Sequence, residues 1–374
     1  MKLRTDLAPL AVAVTDAARA LPARPPVPVL AAIRLKATTG TLAVAAFDYE
    51  TSAQATVEAE VTAPGTVLVP GRMLADITRT IRGSHPVDLQ LDGTRLVLTS
   101  GRTRYTLHTL SPEEYPTLPR PAQANGTVAG PALAEAIQQV ATAAGRDDAL
   151  PILTGIQAEI TDDTISFAAT DRYRFALRPV PWTPTETTGA TTRITIPAKS
   201  LAEAAKILAT DDQVNLTLPA SHGVLGLAGR TRTLTLRAMD GQLPDHRGLW
   251  PTNFTATADL DAADLADAVK RMALVAERGH PVKLHLTDGA LALSAGTAGD
   301  ASARDQVTAT THMRTIAPVT IAFNPGYLLD GVTALKTDRI RLQIVNPVKP
   351  ALLTPTDATP TALRYLIMPI RQSG

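Results

Sequence analysis

The chain repeats itself, and that periodicity limits its fold more than any other feature. Val67-Leu68-Val69-Pro70-Gly71-Arg72-Met73-Leu74 is echoed by Ile194-Thr195-Ile196-Pro197-Ala198-Lys199-Ser200-Leu201 and again by Ile321-Ala322-Phe323-Asn324-Pro325-Gly326-Tyr327-Leu328. The closing leucines 74, 201 and 328 lie 127 residues apart in both steps. Alternating segments at 87–91, 214–218 and 340–344 start 127 and then 126 residues apart, and Gly101-Arg102-Thr103-Arg104 returns 128 residues later as Gly229-Arg230-Thr231-Arg232. Strand openings at Ile33, Ile156 and Val282 keep steps of 123 and 126. A period near one third of 374 residues is far too long for a solenoid, so each copy is expected to be a domain with its own core.

Each copy follows one plan. An Ala-rich amphipathic helix opens it, at about 7–20, 131–144 and 262–278. The third carries Asp261, Asp264 and Asp267 early and Lys270, Arg271 and Arg278 late, which complements the helix dipole. Period-two strands follow, punctuated by Thr39-Gly40, Asp162-Asp163 and Asp288-Gly289. A second helix starts after Pro70, Pro197 and Asn324-Pro325, with Met73, Leu74, Ile77 and Ile81 expected on its buried face in the first copy. The fold class is therefore α+β: three repeated domains, each with antiparallel sheet and two helices. Pro-rich stretches at 116–121 and 243–251 put the domains at 1–121, 122–251 and 252–374, joined too tightly for flexible spacing and expected to pack in a fixed arc.

Few kinds of chemistry survive a search of the residues. With no cysteine, disulfides, thiolate metal sites and cysteine nucleophiles are impossible. Phosphate-loop, dinucleotide, nucleophile-elbow and zinc-protease motifs are missing, so no cofactor and no metal is expected. His280 and His285, the nearest histidine pair, read as surface residues, and Ser221-His222-Gly223 as a polar turn. Asp48 and Asp171 occupy equivalent repeat positions, but the third copy has Thr297 there and a turn role is favoured over acid–base work. The N-terminus lacks a signal-peptide pattern and no apolar run reaches the ~18 residues of a membrane span, which points to the cytoplasm.

Thirty-six Lys and Arg against 35 Asp and Glu give a net charge of +1, so there is no bulk attraction for nucleic acid. Arg72, Arg79 and Arg82 oppose only Asp76 on one helix, and Lys199 and Lys206 oppose Glu203 on its counterpart. Such sparse charge alone describes a solvated helix face. Repeated along a concave arc, it would instead form a basic lining that contacts phosphate without reading bases.

Three segments then resemble a known family over the whole chain: Arg24-Pro25-Pro26-Val27-Pro28-Val29-Leu30 after the first helix, Ala169-Thr170-Asp171-Arg172-Tyr173-Arg174-Phe175, and the terminal Tyr365-Leu366-Ile367-Met368-Pro369-Ile370-Arg371. They are similar to the bacterial sliding clamps, the beta subunits of DNA polymerase III. The resemblance implies half of a six-domain ring: a head-to-tail homodimer around double-stranded DNA, helices inside, without catalysis or sequence readout. It implies DNA-facing roles for Arg24, Arg72, Arg79 and Lys199, and a dimer contact near Tyr105 and Leu274. It also implies a cleft for short motifs of the polymerase III alpha subunit, the clamp loader and repair polymerases. The matching cleft positions are Leu153, Thr170, Arg172, Tyr173, Arg174 and Phe175, then Pro244, Arg247 and Leu249, then Met368, Pro369, Ile370 and Arg371.

Two positions depart from the family pattern. Gly248 stands where a larger side chain is usual, and Gln372 replaces the usual apolar residue after the last arginine. These changes admit a specialised second clamp resistant to a cleft-binding antibiotic. The rival readings are a non-replicative three-domain interaction scaffold and, more remotely, a hydrolase using dispersed Asp and His.

Overall fold

The computed structural model describes residues 1–187, 189–219, 223–276, 280–296, 301–314 and 318–371. Ser221, His222, Arg278, Thr297 and Gln372 lie outside the described residues. The chain packs into two compact units, one of Met1–Pro131, Thr183–Thr187 and Glu203–Ala238, the other of Ala132–Trp182, Thr188–Ala202 and Met239–Gly374.

Six helices appear among the described residues, two in each repeat: α1 (Leu7–Ala18), α2 (Gly71–Thr80), α3 (Gly130–Ala141), α4 (Ala198–Leu208), α5 (Ala262–Ala273) and α6 (Pro325–Leu335). Where the sequence supplies a cap, the structure uses it. The Asp261 carboxylate accepts from Ala263 N and Asp264 N at 2.9 and 3.0 Å, and the Asn324 amide oxygen accepts from Gly326 N and Tyr327 N, with Pro325 at the first helical position. In α1, Leu7, Leu10, Ala13, Val14 and Ala17 form the buried stripe, which packs on α2 and on the strand Thr51–Glu58. The buried face of α2 is Leu74, Ala75, Ile77 and Thr78. Met73 does not belong to it: at 54% exposure it points outward beside Arg72, because its position falls about 120° around the helix from the middle of that buried stripe.

All strand pairings found are antiparallel. The first unit holds a sheet of five strands and one of nine, and the second unit a single sheet of twelve. The strands of the middle repeat are shared out. Its strands Gly126–Val128, Val214–Thr217, Val224–Ala228 and Arg232–Arg237 continue the nine-stranded sheet, where Arg232–Arg237 pairs with Thr51–Glu58. Its strands Gly155–Ile160, Thr164–Thr170, Arg174–Pro181 and Thr192–Pro197 continue the twelve-stranded sheet, where Arg174–Pro181 pairs with Arg364–Ile367. A buried Ser52–Thr235 hydroxyl pair at 2.6 Å pins the first of these junctions. There Arg232 reaches Asp16 of α1 at 2.8 Å.

Asp48 and Asp171 are turn residues. Asp48 Oδ1 accepts from Glu50 N and Thr51 N at 3.0 and 2.6 Å, and Asp171 Oδ1 from Tyr173 N and Arg174 N at 3.0 and 3.1 Å. These bonds stabilise the left-handed backbone of the next residue, Tyr49 at φ 75° and Arg172 at φ 79°, conformations that non-glycine residues rarely adopt.

Within the second unit, α6 lies against the strand Arg364–Ile367, whose Tyr365 is fully buried. Gly331 makes that approach possible, since a Cβ there would stand 2.6 Å from Tyr365 Cε1. Helix propensity alone would make Gly331→Ala stabilising by about 1 kcal/mol. Overpacking against a fixed ring costs about 1–3 kcal/mol. Gly331→Ala is therefore expected to lower the midpoint of chemical denaturation, with a rise in midpoint overturning this account.

Candidate functional site

Strand alternation builds the site. Opposite Arg364–Ile367, the register pairs Arg174 with Ile367, Phe175 with Leu366 and Ala176 with Tyr365. Phe175 and Leu177 fall on one face, in a cluster with Ala168, Leu243, Leu352 and Leu366, and the half-buried Ile152, Leu153, Trp250 and Phe254 pack on it. The Phe175 ring lies 4.9 Å from His246 and meets Trp250 edge-on at 5.6 Å, while the Arg364 guanidinium sits 4.0 Å from the Trp250 centroid.

Arg174 faces the other way. Only 5% exposed, it is held by Asp171 at 2.9 Å and Asp330 at 2.5 Å, donates to the Tyr365 hydroxyl at 3.4 Å, and lies 4.5 Å from the Tyr327 ring centre. Burial works against this cation, but Tyr365 and the two carboxylates outweigh it and raise its pKa. Burial likewise drives the Tyr365 phenol above its usual range, against the pull of Arg174. The result is a rigid wall: Tyr173 stacks on Tyr327 at 6.0 Å, and Tyr173 O accepts from Met368 N at 2.8 Å.

Beside this wall is an open cleft of about 480 Å³ lined by Leu150, Leu153, Arg172, Tyr173, Arg174 and Tyr327, with Arg146, Asp147, Asn324 and Asp330 supplying polar groups. Thr170 supports it from beneath, donating to Arg174 O at 2.6 Å and accepting from Arg172 N at 3.1 Å. Leu249 and Met368, which do not line this cleft, are 50% and 40% exposed. Pro244 is exposed and Pro369 half-buried, and Arg247 is tied back to Glu159 at 3.4 Å, which also takes Arg193 at 2.6 Å. Gly248 has no atom within 4 Å of where its Cβ would be. Ile370 and Arg371 are placed elsewhere: Ile370 N donates to Ala322 O at 2.8 Å, and both residues line a separate trough.

Tyr327 is a cleft-lining residue that the sequence reading missed, and His246 and Trp250, likewise missed, pack on Phe175. Tyr327 aligns with Met73 in the repeat, and both are outward residues on the first turn of a second helix. An aromatic at an outward position was the available signal.

Arg24, Arg72, Arg79 and Lys199 are all exposed. Arg72 donates to Pro22 O at 3.3 Å and Arg79 to Asp76 at 3.4 Å, so neither is tightly held. The first three belong to one unit and Lys199 to the other. Tyr105 is half-buried and lines a cavity of about 550 Å³ with Met73, Ile77 and Arg72. Leu274, just past α5, is 86% exposed. Among the described residues no cluster of His, Asp and Glu could hold a metal ion, and no helix is long and apolar enough to cross a membrane. His285 is taken up by the hydroxyls of Thr320 and Ser294 at 2.8 and 3.2 Å.

Three repeated α+β domains with an open cleft of mixed polar and apolar lining fit the class of DNA polymerase sliding clamps, and the comparisons agree along the whole chain. Residues 1–119, 127–245 and 247–371 match the N-terminal, central and C-terminal domains of the DNA polymerase III beta subunit. The chain is 47% identical to a beta sliding clamp of Streptomyces coelicolor, covering 100% of both, and 38% identical to the beta sliding clamp homologue GriR of Streptomyces muensis, covering 99% of both. A sliding clamp of Pseudomonas aeruginosa solved bound to griselimycin superposes with a TM-score of 0.91 at 24% identity, over 100% of each chain. The chain belongs to the beta sliding clamp family.

Burial lowers the pKa of His246 from its usual value near 6.5; Glu159 and Asp245 pull it up, and Arg247 and Arg193 push it down. Its Nδ1 accepts a long bond from Trp250 Nε1 at 3.5 Å, which requires that nitrogen to be unprotonated. The unfolded chain thus binds this proton more readily than the folded one. Stability from this group is complete above pH ~6.5 and is lost as pH falls through the depressed folded value. The melting temperature is expected to fall between pH 7.5 and 5.5 with a smaller slope in His246→Phe, and parallel slopes would refute this role.

Proposed function

We propose that this protein acts as a replicative processivity clamp: two copies close head to tail into a six-domain ring around duplex DNA and tether DNA polymerase III through the cleft. The observation that carries this reading is the solvent-open cleft lined by Leu153, Tyr173 and Tyr327, beside which Met368 is bonded through its backbone to Tyr173. An extended peptide with one or two apolar anchors could bury those side chains without reorganising the protein. The polymerase III alpha subunit, the clamp loader and repair polymerases are the partners, each presenting a short motif. The domains run 1–121, 122–251 and 252–374, and the chain works in the cytoplasm without catalysis. Arg24, Arg72, Arg79 and Lys199 face the hole and touch phosphate loosely, which suits a ring that holds DNA by topology and carries a net charge of only +1. Exposed Leu274 of one copy and the Tyr105 cavity of the other form the dimer contact, a heterologous pairing that closes after two subunits.

Size determination together with loading by the clamp loader on nicked circular and on linear DNA tests this. A dimer retained on circles and lost on linearisation is expected, and Tyr105→Ala with Leu274→Ala should raise the dimer dissociation constant about 10-fold or more. A monomer, or equal retention on both DNAs, would refute the ring.

We infer a second, narrower role from Gly248: this is a clamp variant whose cleft rim has lost contacts with a large cleft-binding antibiotic. The open space around Gly248 supports it, as do the relationship to GriR and the griselimycin-bound clamp of the same fold. Gln372 would act beside it. Gly248→Arg with Gln372→Leu is expected to tighten griselimycin more than a short polymerase peptide in calorimetric titration, and equal changes for the two ligands would refute the resistance role.

A further inference from the structure

We infer that the outer face of the third repeat's sheet is a docking trough for an acidic peptide segment, the flank of a partner chain; the flank assignment rests on the cleft reading above. The trough is open, about 1040 Å³, and is separate from the cleft.

Its charge follows from strand register. Lys283 pairs with Ser294, and Ser294 with Arg304, so these three share one row and one face across adjacent strands. Burial confirms the face: Val282, Leu284 and Leu286 are buried while Lys283 and Arg304 are exposed. In the next row His285 pairs with Ala292, and Ala292 with Gln306. Small Ser294 and Ala292 therefore form a low floor between two long cations. On the far side Lys283 pairs with Ala322, whose carbonyl accepts the Ile370 N–H and so brings Arg371 to the same trough.

None of Lys283, Arg304 and Arg371 meets a carboxylate among the described residues. The carboxylate lining the trough, Asp305, is already engaged by Arg271 at 2.6 Å. In a chain of net charge +1, this is a local excess of positive charge. Two strand spacings separate Lys283 from Arg304 by about 9.5 Å, close to the ~9.3 Å between side chains three residues apart in a polyproline-II segment, where such residues share one face. Among the described lining residues there is no Phe, Tyr or Trp on which a base could stack, the His285 ring is engaged at both nitrogens by Thr320 and Ser294, and Ala292 and Ile370 make the floor partly apolar, which favours peptide over nucleic acid. Continuity adds to this. Met368 N bonds to Tyr173 O in the cleft wall, and Ile370, two residues on, reaches the trough.

The test uses the full-length protein and fluorescence anisotropy at low salt. A fluorescent clamp-binding peptide of the polymerase alpha subunit is extended, at one end or the other, with Glu-Gly-Gly-Glu-Gly-Gly-Glu or with its Gln counterpart. The Glu flank at one end is expected to tighten binding about three- to tenfold, as two exposed ion pairs allow, and the gain should vanish at high salt. Lys283→Gln with Arg304→Gln should abolish the gain and leave Gln-flanked binding unchanged, whereas Lys283→Arg with Arg304→Lys should preserve it. Equal affinity for Glu and Gln flanks, or a gain that survives the double Gln substitution, overturns the proposal. So does a duplex oligonucleotide whose binding falls more than that of the Glu-flanked peptide. If neither extended peptide binds, the cleft reading has failed and the labelled Glu segment titrated alone decides: binding that the double Gln substitution removes upholds the trough, and no binding overturns it.

Discussion

The pairing of Arg174–Pro181 with Arg364–Ile367 is the contact on which the second unit depends. It joins segments about half the chain apart, at a large cost in loop entropy, and must offset that cost with dense local interactions. On one face it seals Phe175, Leu177, Leu352 and Leu366 into a single apolar cluster. On the other it places a buried guanidinium between two carboxylates and a phenol. Removing either carboxylate would leave a buried cation short of a partner, a far larger penalty than the pair's net contribution. The same pairing positions both walls of the cleft, so stability and the candidate docking surface share one set of residues.

The first unit solves the equivalent problem with different chemistry. There Arg232–Arg237 meets Thr51–Glu58 through the Ser52–Thr235 hydroxyl pair, and Arg232 answers Asp16 on α1. Burial raises the pKa of Asp16 even though Arg232 opposes the shift, so this ion pair is partly frustrated where Arg174 is fully matched. A separate apolar cluster of this unit holds Tyr115 and Leu118 with Val29, Leu30, Phe47 and Leu68, and burial pushes the Tyr115 phenol up to about 12.

Electrostatics separates the surfaces by function on the proposed reading. A ring that encloses DNA needs weak, mobile phosphate contacts, and the loosely held Arg72 and Arg79 provide side chains of that kind. Recognition of a short peptide needs the reverse: a preorganised wall that loses little entropy on binding, as the stacked Tyr173–Tyr327 pair and the anchored Met368 supply.

The sequence by itself determined the threefold repeat, the α+β class, the helix starts and the turn roles of Asp48 and Asp171, because periodicity, caps and turn chemistry are local properties. Through the family resemblance it also pointed to Leu153, Arg172 and Tyr173, which line the open cleft, and to Phe175, which packs in the apolar cluster instead. It misjudged Met73, since an apolar residue at the edge of a helical stripe is buried only if a neighbour covers it. It missed Tyr327 in the cleft lining and the packing of His246 and Trp250 on Phe175, since these contacts join elements distant in the chain. Only the tertiary structure decided that the strands of the middle repeat divide between two sheets and that Ile370 and Arg371 leave the cleft for a trough of their own. The physical reason is that side-chain alternation specifies which face a residue takes, while the choice of partner strand is made by long-range pairing, which no local pattern encodes.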